Sequence, residues 1–264
     1  MPASNMLNAP VHQVVHEFDT FDLASFAAEA ARFGQDRYGY VVTPNVDHLV
    51  RYHEDPAFRA CYQDATYVLL DSRVAARLIR ILKGVRVPVC PGSDLTLALL
   101  AQHAESSDRI VFIGGSAEQS AAIAARFRLS NVRHHNPPLG FITDPDAVER
   151  CLEFIEAASP LRFCFLAVGS PQQEALARML GERGKAHGLA LCVGAALNFL
   201  SGAEKRAPLW MQRSALEWLY RLSRDPRRLS GRYLIRGPRV ILYLAKSGVV
   251  LRPAASDRAL RPQP

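Results

Sequence analysis

Short apolar runs recur along this chain, and each gives way to a stretch whose apolar residues are spaced three and four apart. The runs are 38–43, 66–70 (TYVLL), 109–113 (RIVFI), 163–168 (FCFLAV) and 189–193 (LALCV). The helical patterns are 45–62, as one or two helices, then 72–83, 117–128 and 172–186. Near-continuous apolar strands, as opposed to alternating ones, must be covered on both faces. In this order they predict an α/β chain with a mostly parallel sheet between helical layers.

Charge divides the chain. The sequence carries a net +7, yet residues 204–264 hold fourteen Lys/Arg against four Asp/Glu, so the first 203 residues are mildly acidic. The expected organisation is an α/β core over 1–203, a basic helical appendage over 204–251 and a disordered tail over 252–264. Within the appendage, Pro208, Pro226 and Pro238 separate pieces with helical apolar spacing, SALEWLYRL and RVILYLAKSGVVL. In the first piece Trp218, Leu219 and Leu222 are expected to pack inward.

No stretch reaches the roughly 18–20 apolar residues that span a bilayer, and residues 1–17 carry no basic region followed by an apolar one. The five cysteines, Cys61, Cys90, Cys151, Cys164 and Cys192, never fall in C-x-x-C spacing, which reads as buried thiols. Asp144-Pro145-Asp146 reads better as a helix start than as a metal site, and the histidines lack partners at ligand spacing, so no metal is expected.

Three strands end in small-residue loops that open helices: Gly114 and Gly115, Gly169 and Ser170, and Gly194. Loops at the carboxyl ends of parallel strands form the ligand crevice, and glycine lets backbone N–H groups approach a phosphate. None of the loops is a dinucleotide or Walker fingerprint. Asp71, after TYVLL and before SRVAARL, is either a helix N-cap or a general base at the crevice mouth. Thr43 and Asn45 end the preceding strand, Asn45 also reading as a cap. Gln172, Gln173 and Glu174 open a helix, where they either serve the first turn or hydrogen-bond sugar hydroxyls.

The ordered set TPN (43–45), DATYVLLD (64–71), PGSDL (91–95), FIGG (112–115), NPPLGF (136–141), VGSPQQE (168–174), VGAALNFLSG (193–202), RAPLW (206–210) and LEWLYRLSRDPRRLSGRY (216–233) resembles the WecG/TagA/CpsF family of bacterial glycosyltransferases. The resemblance covers roughly residues 40–235. It implies a Rossmann-like sheet and an inverting, metal-independent enzyme with no cofactor. Such an enzyme would transfer a hexose-type sugar from a UDP-sugar to a polyprenyl-diphosphate-linked saccharide in exopolysaccharide or other surface-polysaccharide biosynthesis. It would work as a cytoplasmic protein, peripheral on an anionic membrane surface, and a homo-oligomer is compatible with the sequence. An N-acetylmannosaminyl transferase of teichoic-acid or enterobacterial-antigen type is the alternative donor reading.

Asp71 matches the family aspartate proposed as catalytic base, and Thr43, Asn45 and Gln173 match positions near sugar or nucleotide. Gly114, Gly115, Gly169, Ser170, Glu174, Gly194 and Asn198 complete the expected substrate site. Arg206, Arg221, Arg227, Arg228 and Arg232 are candidates for the acceptor diphosphate or membrane, their bland reading being a solvated basic face. Of the aromatics beside them, Trp210, Trp218, Tyr220, Tyr233 and Tyr243, part suit a lipid interface and part, Trp218 among them, are expected in the core. Three departures stand out: Asp71-Ser72 where many relatives carry Asp-Gly, Asn198 where they carry aspartate, and Val89-Cys90-Pro91 where they carry an arginine. A polyanion-binding protein without catalysis is the reading from a different class. Against it, no nucleic-acid motif is present and no nucleic-acid partner is expected. A dinucleotide oxidoreductase is disfavoured by the missing glycines.

Overall fold

A computed structural model describes residues 14–253, apart from the side chain of Arg228. The expected tail falls outside this range except at Arg252 and Pro253. Among the described residues eight strands are formed: β1 (Val15–Asp19), β2 (Tyr38–Val42), β3 (Tyr67–Val68), β4 (Ile110–Ile113), β5 (Val132–His135), β6 (Phe163–Leu166), β7 (Gly188–Cys192) and β8 (Gly248–Arg252). The helices are α1 (Leu23–Arg32), α2 (Val46–Glu54), α3 (Pro56–Gln63), α4 (Arg73–Lys83), α5 (Gly92–Ala98), α6 (Ala117–Phe127), α7 (Pro145–Glu156), α8 (Gln172–Arg183), α9 (Ala196–Leu200), α10 (Leu209–Arg213), α11 (Glu217–Arg224), α12 (Pro226–Ser230) and α13 (Arg239–Lys246).

Six strands form one parallel sheet in the order β3-β2-β7-β6-β4-β5. The pleat sends alternate residues into two cores. Val111 and Ile113, Cys164 and Leu166, and Ala190 and Cys192 join one. Ile110 and Phe112, Phe163 and Phe165, and Leu189 and Leu191 join the other. All twelve are fully buried, which is why the sequence showed continuous apolar runs instead of alternation. The fold is α/β, as the pattern predicted, and Rossmann-like, as the resemblance implied. From β2 the chain steps outward to β3, and from β4 it steps outward to β5 on the opposite side. β6 and β7 then fill the centre, so the switch point and its crevice lie at their carboxyl ends.

The predicted 45–62 helix divides at Asp55-Pro56, where Asp55 ends α2 and its carboxylate caps α3. Asp144 caps α7 with Pro145 in the first turn, as expected. Asp71 does not cap α4: that cap is the Ser72 side chain, which accepts the Ala75 N–H.

The C-terminal segment departs from expectation. RVILYLAKSGVVL is not one helix, because α13 stops at Ser247 and Gly248–Arg252 becomes β8, parallel to β1. Gly248 disfavours continuing the helix, and the two β-branched valines that follow it favour an extended chain. The expected tail therefore begins inside a strand, where Arg252 pairs with the fully buried Asp19 at 2.7 Å. Asp19 also accepts the Val68 N–H at 2.7 Å, so the last strand is tied to the strand that leads to Asp71. Nor do Trp218, Leu219 and Leu222 enter a core. No residue of α11 is fully buried and Leu219 is 44% exposed, because α11 spans a cleft instead of lying on the sheet.

Exposed Arg128 ends α6 in the left-handed region at φ 55°. Glycine bears no Cβ penalty there. Arg128→Gly is expected to add about 1 kcal/mol and roughly 2–4 °C to the thermal midpoint by calorimetry. An unchanged or lower midpoint would show that this conformation costs nothing.

Candidate active site

The strand ends converge on one crevice. At the end of β2, the Thr43 hydroxyl donates to the Cys192 carbonyl at 2.9 Å, tying β2 to β7. Asn45 caps α2, its Oδ1 accepting the Asp47 and His48 N–H groups. Past β3 the chain stays in register with its neighbour. Leu69 donates to the Val42 carbonyl and Asp71 to the Pro44 carbonyl, which holds the Asp71 backbone at the crevice edge. The Asp71 carboxylate in turn accepts the Gly92 N–H at 2.8 Å. The loop after β6 supplies Gly169 and Ser170, the loop after β7 supplies Gly194, and α9 supplies Asn198.

These residues line a polar cleft of about 1160 Å³. Its far wall is the C-terminal segment, which contributes Arg206, Arg221, Arg224, Arg232, Arg236 and Arg239. An apolar pocket of about 400 Å³ adjoins it, lined by Val74, Leu78, Trp218, Tyr233, Val240 and Ile241. Trp218 and Tyr233 meet edge to face at 6.1 Å. Asp71, Asn45 and Arg221 belong to both cavities, so the carboxylate stands at their junction.

Burial pushes the Asp71 carboxyl up to about 6, and Glu217 and Asp94 add to the rise. The Gly92 N–H and the Arg221 guanidinium oppose it. A carboxylate so poised is ionised at neutral pH yet holds a proton well enough to act as a base. His48, whose ring meets the Tyr62 hydroxyl at 3.1 Å, is held down to about 3 by burial and by Arg232 and Arg51, and stays neutral.

The cations are held in place. Phe199 carries the Arg221 guanidinium 5.3 Å and the Arg206 guanidinium 5.8 Å from its ring centre. Arg206 pairs with Asp94, and Arg221 with Glu217 at 2.6 Å. The buried Arg206 Nε has no hydrogen-bond partner among the described residues. Arg232 approaches both Asp47, at 3.3 Å, and Asn45, at 3.4 Å. Arg51 and Arg236 flank the same Asp47 at 3.8 and 3.9 Å, leaving more positive than negative charge there.

Most of the sequence-derived set therefore shares one cleft: Thr43, Asn45, Asp71, Gly169, Ser170, Gln173, Gly194, Asn198, Arg206, Arg221 and Arg232. Gly114 and Gly115 are not among its walls. A Cβ on Gly114 would stand 2.8 Å from the Ala167 carbonyl oxygen, so glycine there serves close strand packing. The Gly194 N–H is taken by the Gln173 side chain. Glu174 is fully buried beneath the cleft, Arg227 is exposed outside it, and the Arg228 side chain lies outside the described set. Asn198 is engaged on both sides of its amide, by Gln119 at 3.1 Å and Glu204 at 3.0 Å.

Sequence reasoning missed Asp47, Arg51, Asp94, Glu217 and Arg236. The signals were present: Asp47 and Arg51, like Glu217 and Arg221, are opposite charges four apart on a helix, and Asp94 lies inside PGSDL. Among the described residues no three His, Cys, Asp or Glu side chains group as metal ligands, and no helix is long and apolar enough to cross a membrane.

The model of the family described as Glycosyl transferase WecG/TagA/CpsF matches residues 5–253.

Proposed function

From the premise that the chain belongs to the WecG/TagA/CpsF family of glycosyltransferases, we propose that it moves a hexose-type sugar from a UDP-sugar to a polyprenyl-diphosphate-linked saccharide. The pathway would be exopolysaccharide or other surface-polysaccharide synthesis, on the inner face of the cytoplasmic membrane. The observation that carries this reading is the position of Asp71, poised near pH 6 where an arginine-walled polar cleft meets an apolar, aromatic pocket.

In this reading the UDP-sugar lies in the polar cleft, over the Gly169 and Gly194 loops. The acceptor saccharide enters beside Trp218 and Tyr233. Asp71 takes the proton of the acceptor hydroxyl as its oxygen attacks the anomeric carbon from the face opposite UDP. The carbon–oxygen bond to UDP breaks with inversion, and its electron pair leaves on the diphosphate. Arg206, Arg221 and Arg232 meet that charge in a partly dry site where it is worth most, so the transfer proceeds without a divalent metal. No other cofactor takes part.

Residues 204–251 are the appendage that closes the cleft and faces the lipid. It exposes Leu209, Trp210, Leu234, Ile235, Ile241 and Leu242, Ile235 to 71%, amid arginines. Exposed apolar side chains ringed by basic ones suit an anionic membrane surface.

Thermal shift with UDP, GDP, NAD and a panel of UDP-sugars, with and without EDTA, tests the donor. UDP at about a hundred times its dissociation constant is expected to stabilise the fold by about 2.7 kcal/mol, with EDTA making no difference. Stabilisation by NAD alone, or by polyanions alone, would contradict the reading. The family's N-acetylmannosaminyl donors are the second possibility for the sugar, which the UDP-sugar panel separates.

A further inference from the structure

Gln173 and Glu174 open α8 directly below the Gly169 loop, 2% and 0% exposed. The Gln173 Oε1 accepts the Gly194 N–H at 3.0 Å, and its Nε2 donates to Glu174 Oε1 at 2.9 Å. These two bonds fix the amide. Turned over, it would set an NH₂ against the Gly194 N–H and a carbonyl against a carboxylate, and both contacts would repel. The orientation follows from the chemistry of its neighbours.

An amide bound in this way has one N–H left. Gln173 lines the cleft between Ser170 and Gly194, whereas Glu174 does not reach it. Burial holds the Glu174 carboxyl above its ordinary range, against the Gln173 hydrogen bond that lowers it. A buried carboxylate costs stability that a packed apolar side chain would not. What the carboxylate does that an apolar side chain could not is accept the Gln173 N–H.

We propose that Glu174 is a positioning residue. It locks the Gln173 amide so that the remaining N–H is presented to an oxygen of the donor in the cleft. The same lock ties the β6–α8 loop to the β7–α9 loop, so both loops reach the donor prearranged. Gln173 then acts as a donor only, which selects a ligand with an oxygen acceptor at that point. The inference rests on the cleft taking a UDP-sugar.

The test uses the full chain, with UDP titrated calorimetrically and transfer kinetics measured with the preferred UDP-sugar. Glu174→Met removes the acceptor and keeps the volume. It is expected to raise the donor KM and the UDP Kd about tenfold, with an unchanged or higher thermal midpoint. Glu174→Gln keeps an acceptor oxygen and is expected to recover most of the loss. Gln173→Met, which deletes the N–H, is expected to match Glu174→Met. Wild-type donor KM in either methionine variant would overturn the proposal, even if the other fails to fold. So would equal impairment of Glu174→Met and Glu174→Gln that follows a lowered thermal midpoint. A wild-type chain that takes up no UDP or UDP-sugar would instead overturn the functional reading beneath it.

Discussion

Asp71→Asn is expected to lose about a thousandfold in kcat while the folded protein becomes more stable. The loss follows from the carboxylate's proposed place as proton acceptor, since a positioned base is worth roughly 10²–10⁴ in rate. The gain has the same origin. Burial lifts the Asp71 carboxyl to about 6 in the fold, above its unfolded value of about 3.9. The folded chain therefore binds this proton more tightly than the unfolded chain, and ionised Asp71 costs stability. That cost is absent below about pH 4, grows between about pH 4 and 6 and is complete above. Asparagine keeps an oxygen for the Gly92 N–H and carries no charge. At pH 7.5 the variant is expected to be more stable by on the order of 2 kcal/mol, a midpoint raised by roughly 4–8 °C. Near pH 4 the two proteins should unfold together. Paired unfolding curves at both pH values, with kcat beside them, check it. A variant that keeps a tenth of the turnover would remove Asp71 as base, and one that loses stability at pH 7.5 would remove the charge cost.

Arg221→Gln carries the second large effect. This guanidinium lies over Phe199, pairs with Glu217 and holds the Asp71 carboxyl down. In the proposed reaction its removal takes a donor from the developing diphosphate charge, for which a loss of roughly 10²–10³ in kcat is expected by analogy with other preorganised donors. It also leaves Glu217 unopposed beside Asp71. Both changes make the carboxylate harder to ionise, so the acid limb of the kcat profile, expected near pH 6 in the wild type, is expected to move to higher pH. Arg221→Lys restores the charge without the planar fork and is expected to recover part of the rate. A limb that stays fixed or moves to lower pH in Arg221→Gln would show that the two groups are not coupled.

The parts of the fold visible in the sequence were those whose signal is local. TYVLL, RIVFI, FCFLAV and LALCV announce buried strands because both faces of the sheet are covered. Asp71, Thr43, Asn45 and Gln173 could be placed at one edge because parallel strands bring their carboxyl ends together. β5 (VRHH) was missed because it is an edge strand with half-polar faces. The β1–β8 pair was missed for a different reason: it joins residues 233 apart, Asp19 and Arg252, and no local pattern records such a contact. First-turn position could not tell that Gln173 reaches the cleft while Glu174 turns inward. Glycine at a strand end could not tell packing at Gly114 from access at Gly169. Loop composition leaves both readings open, and only the neighbouring backbone separates them.

The most direct test is UDP release from a UDP-sugar with a polyprenyl-diphosphate-linked saccharide on anionic vesicles, in EDTA, for the wild type and Asp71→Asn side by side. The expected result is acceptor-dependent release by the wild type, with turnover falling about a thousandfold in Asp71→Asn while UDP affinity is unchanged. Acceptor-independent release, an absolute need for a divalent cation, or wild-type turnover by Asp71→Asn would contradict the account.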